Sequence, residues 1–307
     1  MFAYVVRRLG SAIPTLFIVV TVAFFMMRVA PGGPFDREKQ LPPEIEANIL
    51  KVYNLDKPLH QQYFDYIGNI IQGDFGPSFK YLDFTVTDLI LAGFPVSLRL
   101  GLAAILIAVV FGVTAGTIAA LKQNSTFDYM VMGLAMTGIA IPNFVMAPLL
   151  ALVFGVYLSW LPVAGWNDGA LQNQILPVIT LALPQIAYIS RLTRGSMVET
   201  MHSNFIRTAR AKGLAEKIVV VRHALKGGLL PVISYLGPAT AAVITGSVVI
   251  EAIFDVPGIG RYFVTGALNR DYPVVMGVVI FYAVLIIGLN LVVDLIYGFL
   301  DPRVKVE

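Results

Sequence analysis

RTARAKGLAEKIVVVRHALKGGLLP, Arg207 to Pro231, is a basic stretch set between two hydrophobic runs, Ile175 to Leu192 and Leu229 to Phe254. Arginine, lysine and alanine with a helix-stopping glycine, Gly213, stand where a membrane protein meets the cytoplasm and a partner there. The runs on either side continue through the whole chain. Of 307 residues, 57% are hydrophobic and 13% charged, against about a quarter charged in soluble domains. The solvent is lipid.

Six runs are long enough to cross about 30 Å of hydrocarbon, which takes roughly 20 residues of helix. They lie near Leu9–Ala30, Ser97–Leu121, Tyr129–Leu158, Ile175–Leu192, Leu229–Phe254 and Val274–Leu300. The expected fold is therefore an all-α polytopic membrane protein with six transmembrane helices and both termini on one side. Cytoplasmic segments carry the excess of Lys and Arg. With the N-terminus inside, 13 basic residues fall inside and 7 outside, so both termini are expected in the cytoplasm. Membrane sidedness explains this basic content, and no nucleic-acid partner is implied. Arg7 and Arg8 precede a run of 22 residues without a small-x-small cleavage site. That exceeds the 7 to 15 residues of a signal core, and an uncleaved first helix is expected.

Residues 1–96 read as the first span plus an external segment, 97–300 as the transmembrane unit with a cytoplasmic loop at 193–228, and 301–307 as a cytoplasmic tail. In the external segment Ile45, Ile49 and Val52 form one helical stripe. HQQYFDYIGNII is a second amphipathic candidate, and GDFGPSF an irregular loop. About 65 residues with few large aliphatics make a marginal core, so a helical cap lying against the span ends is expected.

Pro142, Pro148, Pro184 and Pro238 fall inside spans, where a helix tolerates them if neighbours satisfy the freed carbonyls. Packing and gating kinks are both open readings. Gly112, Ala115, Gly116 and Ala119 predict close helix approach. LPVIT at Leu176 and LPVIS at Leu230 both read as helix starts with proline in the first turn. Arg28, Arg99, Glu251 and Asp294 sit towards span ends, and the arginines are expected to snorkel to headgroups.

Local catalytic chemistry is absent from the motifs. No GxxxxGK[ST], GxSxG or GxGxxG sequence occurs, and His60, His202 and His223 show no HExxH spacing. No catalytic, cofactor or metal residue is expected, and without a Walker site the chain is not its own ATP motor. The absence of cysteine excludes disulfides.

From Asn204 to Lys212, NFIRTARAK suits a short helix with Phe205 and Ala209 on one face and Arg207 and Arg210 elsewhere. Gly213 terminates it, and a second helix follows with Leu214, Ile218, Val221 and Leu225 as its stripe. The residues fit two roles equally: contact with anionic lipid, or insertion into a groove on a protein partner.

The segment resembles the "EAA" loop of ABC importer permeases, with Arg207, Thr208 and Ala209 in the first three places and Gly213 as the glycine. Arg replaces the usual Glu, and the Leu-Pro ending is displaced to Leu230-Pro231. IPTLFIVVTVAFFMMRVAPGGPF, GDFGPSFKY, FPVSLRLG, RGSMVETMHSNFIRTARAKGL and EAIFDVPGIGRYFVTGALNRDYP extend the likeness to B-type permeases of bacterial oligopeptide importers. The resemblance implies a type I ABC importer permease fold in the bacterial inner membrane, with a short helical periplasmic insertion after the first helix. It implies a peptide substrate and, as partners, a homologous C-type permease, two cytoplasmic ATPase subunits that bind the ATP and Mg, and a periplasmic oligopeptide-binding protein. Phe205, Arg207, Ala209, Lys212 and Gly213 would couple the chain to an ATPase. Glu251, Asp255, Pro257, Gly258 and Gly260 form a turn that is either structural or a periplasmic gate or binding-protein contact. Dipeptide and nickel permeases of the same branch, and a self-powered proton-coupled carrier, are the alternatives.

Overall fold

The computed structural model describes residues 2–29, 56–81 and 83–300. The predicted stripe of Ile45, Ile49 and Val52 lies outside these residues, as do the side chains of Arg28 and Asp294. The described chain is helical, with one isolated bridge, Pro77 to Thr85. In order the helices are α1 Phe2–Val29, α2 Leu59–Ile71, α3 Val86–Leu121, α4 Thr126–Ala140, α5 Asn143–Leu150 running on into a π-helical Ala151–Tyr157, and α6 Leu171–Met201. α7 is Asn204–Ala211. α8 is a composite of Glu216–Ile218, a π-helical Val219–Ala224 and Leu225–Gly228. α9 Leu230–Gly246, α10 Val248–Ile253, α11 Ile259–Leu268 and α12 Tyr272–Leu300 complete the fold.

Four segments are long and apolar enough to cross a membrane: Val86–Leu121, Leu171–Met201, Leu230–Ile253 and Tyr272–Val293. The expected span from Tyr129 to Leu158 is a broken pair, α4 and α5, bent by 103°. The cause is local. Pro142 has no N–H to continue the ladder, and Ile141 before it is driven to extended backbone, φ −87° and ψ 116°. α1 is helical over its 28 residues, Phe2–Val29.

α3 begins where Thr85 and Asp88 cap each other's backbone reciprocally. It then packs along α6 with little side-chain volume between them, because Gly112, Gly116 and Ala119 are buried. A Cβ at Gly116 would collide with the Ser190 carbonyl oxygen and the Thr193 side chain. Gly116→Val is therefore expected to separate the two helices and cost about 1–3 kcal/mol, read as a drop in the melting temperature of purified protein.

α9 starts at Leu230 with Pro231 in its first turn, as expected for LPVIS. LPVIT does not start a helix: α6 begins at Leu171, which leaves Pro177 in its second turn. α2 matches HQQYFDYIGNII and rests on α1, with Tyr63 Oη 2.6 Å from Thr21 Oγ1 and its ring 5.3 Å from that of Phe24. GDFGPSF is irregular, as its turn residues predict. Arg99 is exposed, its Nη1 beside Gly169 in the loop before α6.

Candidate functional site: an exposed hairpin and a buried carboxylate

α6 continues to Met201, nine residues past the expected end of its span, and turns through Ser203 into α7. The turn out of α7 is made by Gly213 at φ +77°, a left-handed conformation that only glycine adopts without strain. α8 then folds back on α7. Met197, Ile206, Ala209, Val219, Val220 and Ala224 are buried together with Ala120 from the end of α3. The hairpin is thus seated on two spans.

This packing revises the expected faces. Ala209 is buried, but its inward companion is Ile206, whereas Phe205 is 51% exposed. Phe205, Arg207, Lys212 and Gly213 form the outward surface of α7 and its turn, and Ala209 is an internal prop. In α8 most of the predicted stripe faces the other way: Leu214, Ile218 and Val221 face outwards and Val219, Val220 and Ala224 inwards, while Leu225 packs against the buried cluster as expected. The helix starts only at Glu216, so Leu214 lies in the turn and cannot set its register, and the π-helical Val219–Ala224 departs further from a 3.6-residue period. The outward face is consequently more apolar than the sequence suggests.

Across the turn, Arg210 donates from Nε to Glu216 Oε2 at 3.1 Å and from Nη2 to Oε1 at 2.6 Å. Those bonds hold the Glu216 carboxyl below its ordinary range. A depressed carboxylate contributes stability above its unfolded pKa and loses it as pH falls through the folded one, so this clasp loosens in acid. Both groups are solvent-exposed and salt screens them.

A second tie lies just behind the hairpin. Arg194 of α6 donates from Nε and Nη2 to the two carboxylate oxygens of Asp128 at 2.5 and 2.6 Å. Asp128, 1% exposed, also accepts from the Asn124 backbone at 2.9 Å. SxxD at Ser125–Asp128 was legible as a helix start. Its partner 66 residues away was not.

At the other end of the bundle, Glu251 is fully buried. It accepts from Ser247 Oγ at 2.5 Å and from the Gly260 backbone N–H at 2.8 Å, and it is also hydrogen-bonded by Ser97 and the Arg261 backbone. Ser97 Oγ accepts from the Ile259 N–H at 3.0 Å. One carboxylate therefore neutralises the amide end of α11 and fastens it to α3 and α10. Gly258 and Gly260 are buried because a Cβ at either would collide, with Glu251 at the first and Val248 at the second. Pro257 is half-buried, and Asp255, at φ +52°, is exposed and paired with Arg261 at 3.1 Å. Of the five residues singled out here, only Asp255 is an exposed contact; the others build the turn.

Asp271 escaped the sequence reading although DYP at 271–273 reads as an N-cap before a helix-starting proline. Fully buried, it accepts from Ser78 Oγ at 2.5 Å and from the Phe79 and Lys80 N–H groups at 3.1 Å each. It pins the loop that precedes α3 to the start of α12. Among the described residues no group of three or more His, Cys, Asp or Glu side chains is placed to hold a metal ion.

Residues 112–306 match the family described as binding-protein-dependent transport system inner membrane component, and residues 1–101 match its N-terminal family. The oligopeptide transport system permease protein OppB of Salmonella typhimurium is 57% identical over 99% of this chain and 100% of its own length. The dipeptide transport system permease protein DppB of Bacillus subtilis is 45% identical over 100% of this chain and 99% of its own. Among solved structures, an inward-facing MetNI methionine ABC transporter matches with a TM-score of 0.60 at 15% identity, covering 69% of this chain and 96% of that one. This last likeness concerns the fold alone. The chain is a multi-pass membrane protein and belongs to the inner-membrane components of binding-protein-dependent transport systems.

Proposed function

We propose that this chain is the permease subunit of an ATP-driven importer of oligopeptides, forming half of the path beside a homologous C-type permease. The observation that carries the reading is full-length identity of 57% with an oligopeptide permease. Two cytoplasmic ATPases bind the ATP and Mg, and a periplasmic oligopeptide-binding protein delivers the peptide. The distribution of basic residues supports both termini and the 193–228 loop on the cytoplasmic side, with α1 as a sixth span, α2 in a periplasmic insertion and 97–300 as the permease unit.

In this reading the outward face of the hairpin, Phe205, Arg207, Lys212 and Gly213, seats in a cleft of an ATPase, with Ala209 holding α7 rigid from behind. Closure of the ATPase pair on ATP displaces the hairpin. Its displacement moves α6 directly, α3 through the Ala120 contact and α4 through Arg194 and Asp128, which is rigid-body rocking of a bundle. The hairpin transmits force and performs no chemistry.

The 45% identical dipeptide permease keeps a dipeptide cargo as the second reading. Nickel wants imidazole or other strong donors along its path, and the spans contain no histidine. A proton-coupled carrier is expected to hold a carboxylate near mid-bilayer, whereas Glu251 lies towards the end of its span, where it accepts from Ser247 Oγ and the Gly260 N–H.

Gly213→Val tests the hairpin. No atom lies within 4 Å of a Cβ there, so the cost is the left-handed backbone alone, about 1–2 kcal/mol. The chain should still insert and assemble, while ATP-dependent peptide uptake by the reconstituted complex falls severalfold. Unchanged uptake rejects the docking role.

A further inference from the structure

Lipid-facing surface is recognisable in this chain by what it exposes. α3 presents Leu91, Leu102, Leu106, Val110 and Phe111. α9 presents Pro231, Ser234, Pro238, Ala242 and Gly246, and Val249 is the one exposed large aliphatic described between Leu230 and Ile253. On α6 the exposed line is Tyr188, Arg191, Gly195 and Glu199. α9 thus exposes prolines, small residues and a serine where α3 exposes large aliphatics, and small residues mark close helix contact, so the face that α9 shares with Tyr188 looks into the assembly.

The two lines meet at one cluster. The rings of Tyr188 and Tyr235 stack with centroids 4.9 Å apart and planes at 12°. Tyr235 Oη donates to Gln185 Oε1 at 2.8 Å, which fixes the amide near the midpoint of the 31-residue α6. Tyr188 is 42% exposed and Gln185 half-buried. With Oε1 engaged by Tyr235, the Nε2 protons of Gln185 have no hydrogen-bond partner among the described residues.

We propose that Gln185, Tyr188 and Tyr235 form a contact site for the main chain of the transported peptide. Gln185 Nε2 donates to a peptide carbonyl, and the stacked tyrosines give side chains of any kind a flat surface to lie on. Every peptide carries carbonyls at the same spacing, so one neutral donor serves varied sequences. The cluster has no carboxylate, imidazole or thiolate for a divalent cation. This site rests on the peptide-permease reading above.

The experiment uses the complete complex in proteoliposomes, with ATP, loaded binding protein and radiolabelled tri-alanine, tri-leucine and tri-lysine. If the unaltered complex accumulates none of them, the permease reading and this site both fail. If it accumulates them, Gln185→Leu is expected to lower uptake of all three alike, about tenfold for one lost hydrogen bond. Undiminished uptake, or a fall confined to one side-chain class, overturns the site alone. A benzophenone amino acid in place of Tyr188 keeps the question open to test if Gln185→Leu fails to assemble. On illumination during turnover it should label the peptide, and capture of only lipid or the neighbouring permease overturns the proposal.

Discussion

Glu251→Leu is expected to deplete folded chain from the membrane. The carboxylate satisfies the Ser247 and Ser97 hydroxyls and the Gly260 and Arg261 amides, all within a site closed to water. Leucine leaves the Ser97 hydroxyl and the Gly260 and Arg261 amides without this acceptor, while Ser247 Oγ keeps the Ile244 carbonyl at 2.8 Å, and each orphaned buried group costs about 1–3 kcal/mol. The summed cost is of the order of the whole stability of a domain, about 5–15 kcal/mol. Glu251→Gln keeps two acceptor lone pairs but turns an N–H₂ towards donors, so it should fall between. The check is the yield and melting temperature of the three proteins purified in one detergent: unaltered highest, glutamine intermediate, leucine lowest. Equal stability of all three would mean that the carboxylate is not the brace described here.

Arg194→Ala should be the next most damaging change. Asp128 is 1% exposed, and without the guanidinium its charge stays buried with only the Asn124 amide donating to it. Removing one partner of a buried pair costs about 3–5 kcal/mol, and here it also severs α4 from the segment of α6 that leads into the hairpin. ATP hydrolysis by the assembled complex should then lose its coupling to peptide uptake even where protein survives. Removing both charges with Asp128→Asn and Arg194→Gln should recover part of the stability, because no unpaired ion remains. A double variant as unstable as the single one would show that the pair's charge is not what matters.

The hydrophobic runs were legible because an apolar stretch of fixed length has few alternatives in lipid. The capping pairs Thr85–Asp88 and Ser125–Asp128 and the turn at Gly213 are local chemistry, and a reader of the sequence can find them. Pro142 was visible as a breaker, but the 103° between α4 and α5 is set by what each helix packs against, which no local pattern records. The faces of the hairpin were misassigned for a related reason. A period of 3.6 was counted from Leu214, which lies in the turn before α8, and α8 itself is partly π-helical. Pairings such as Arg194 with Asp128 and Ser78 with Asp271 join residues far apart in sequence. Each partner alone looks like an ordinary surface or capping residue.

In the proposed coupling, force enters through the outward face of α7, where Phe205 is exposed. A benzophenone amino acid at position 205, in the complete complex reconstituted with ATP, tests it most directly. The prediction is a light-induced crosslink to the ATPase subunit, with ATP-dependent peptide uptake lost in proportion to the crosslinked fraction. Crosslinking only to lipid or to periplasmic protein, with uptake intact, would contradict it.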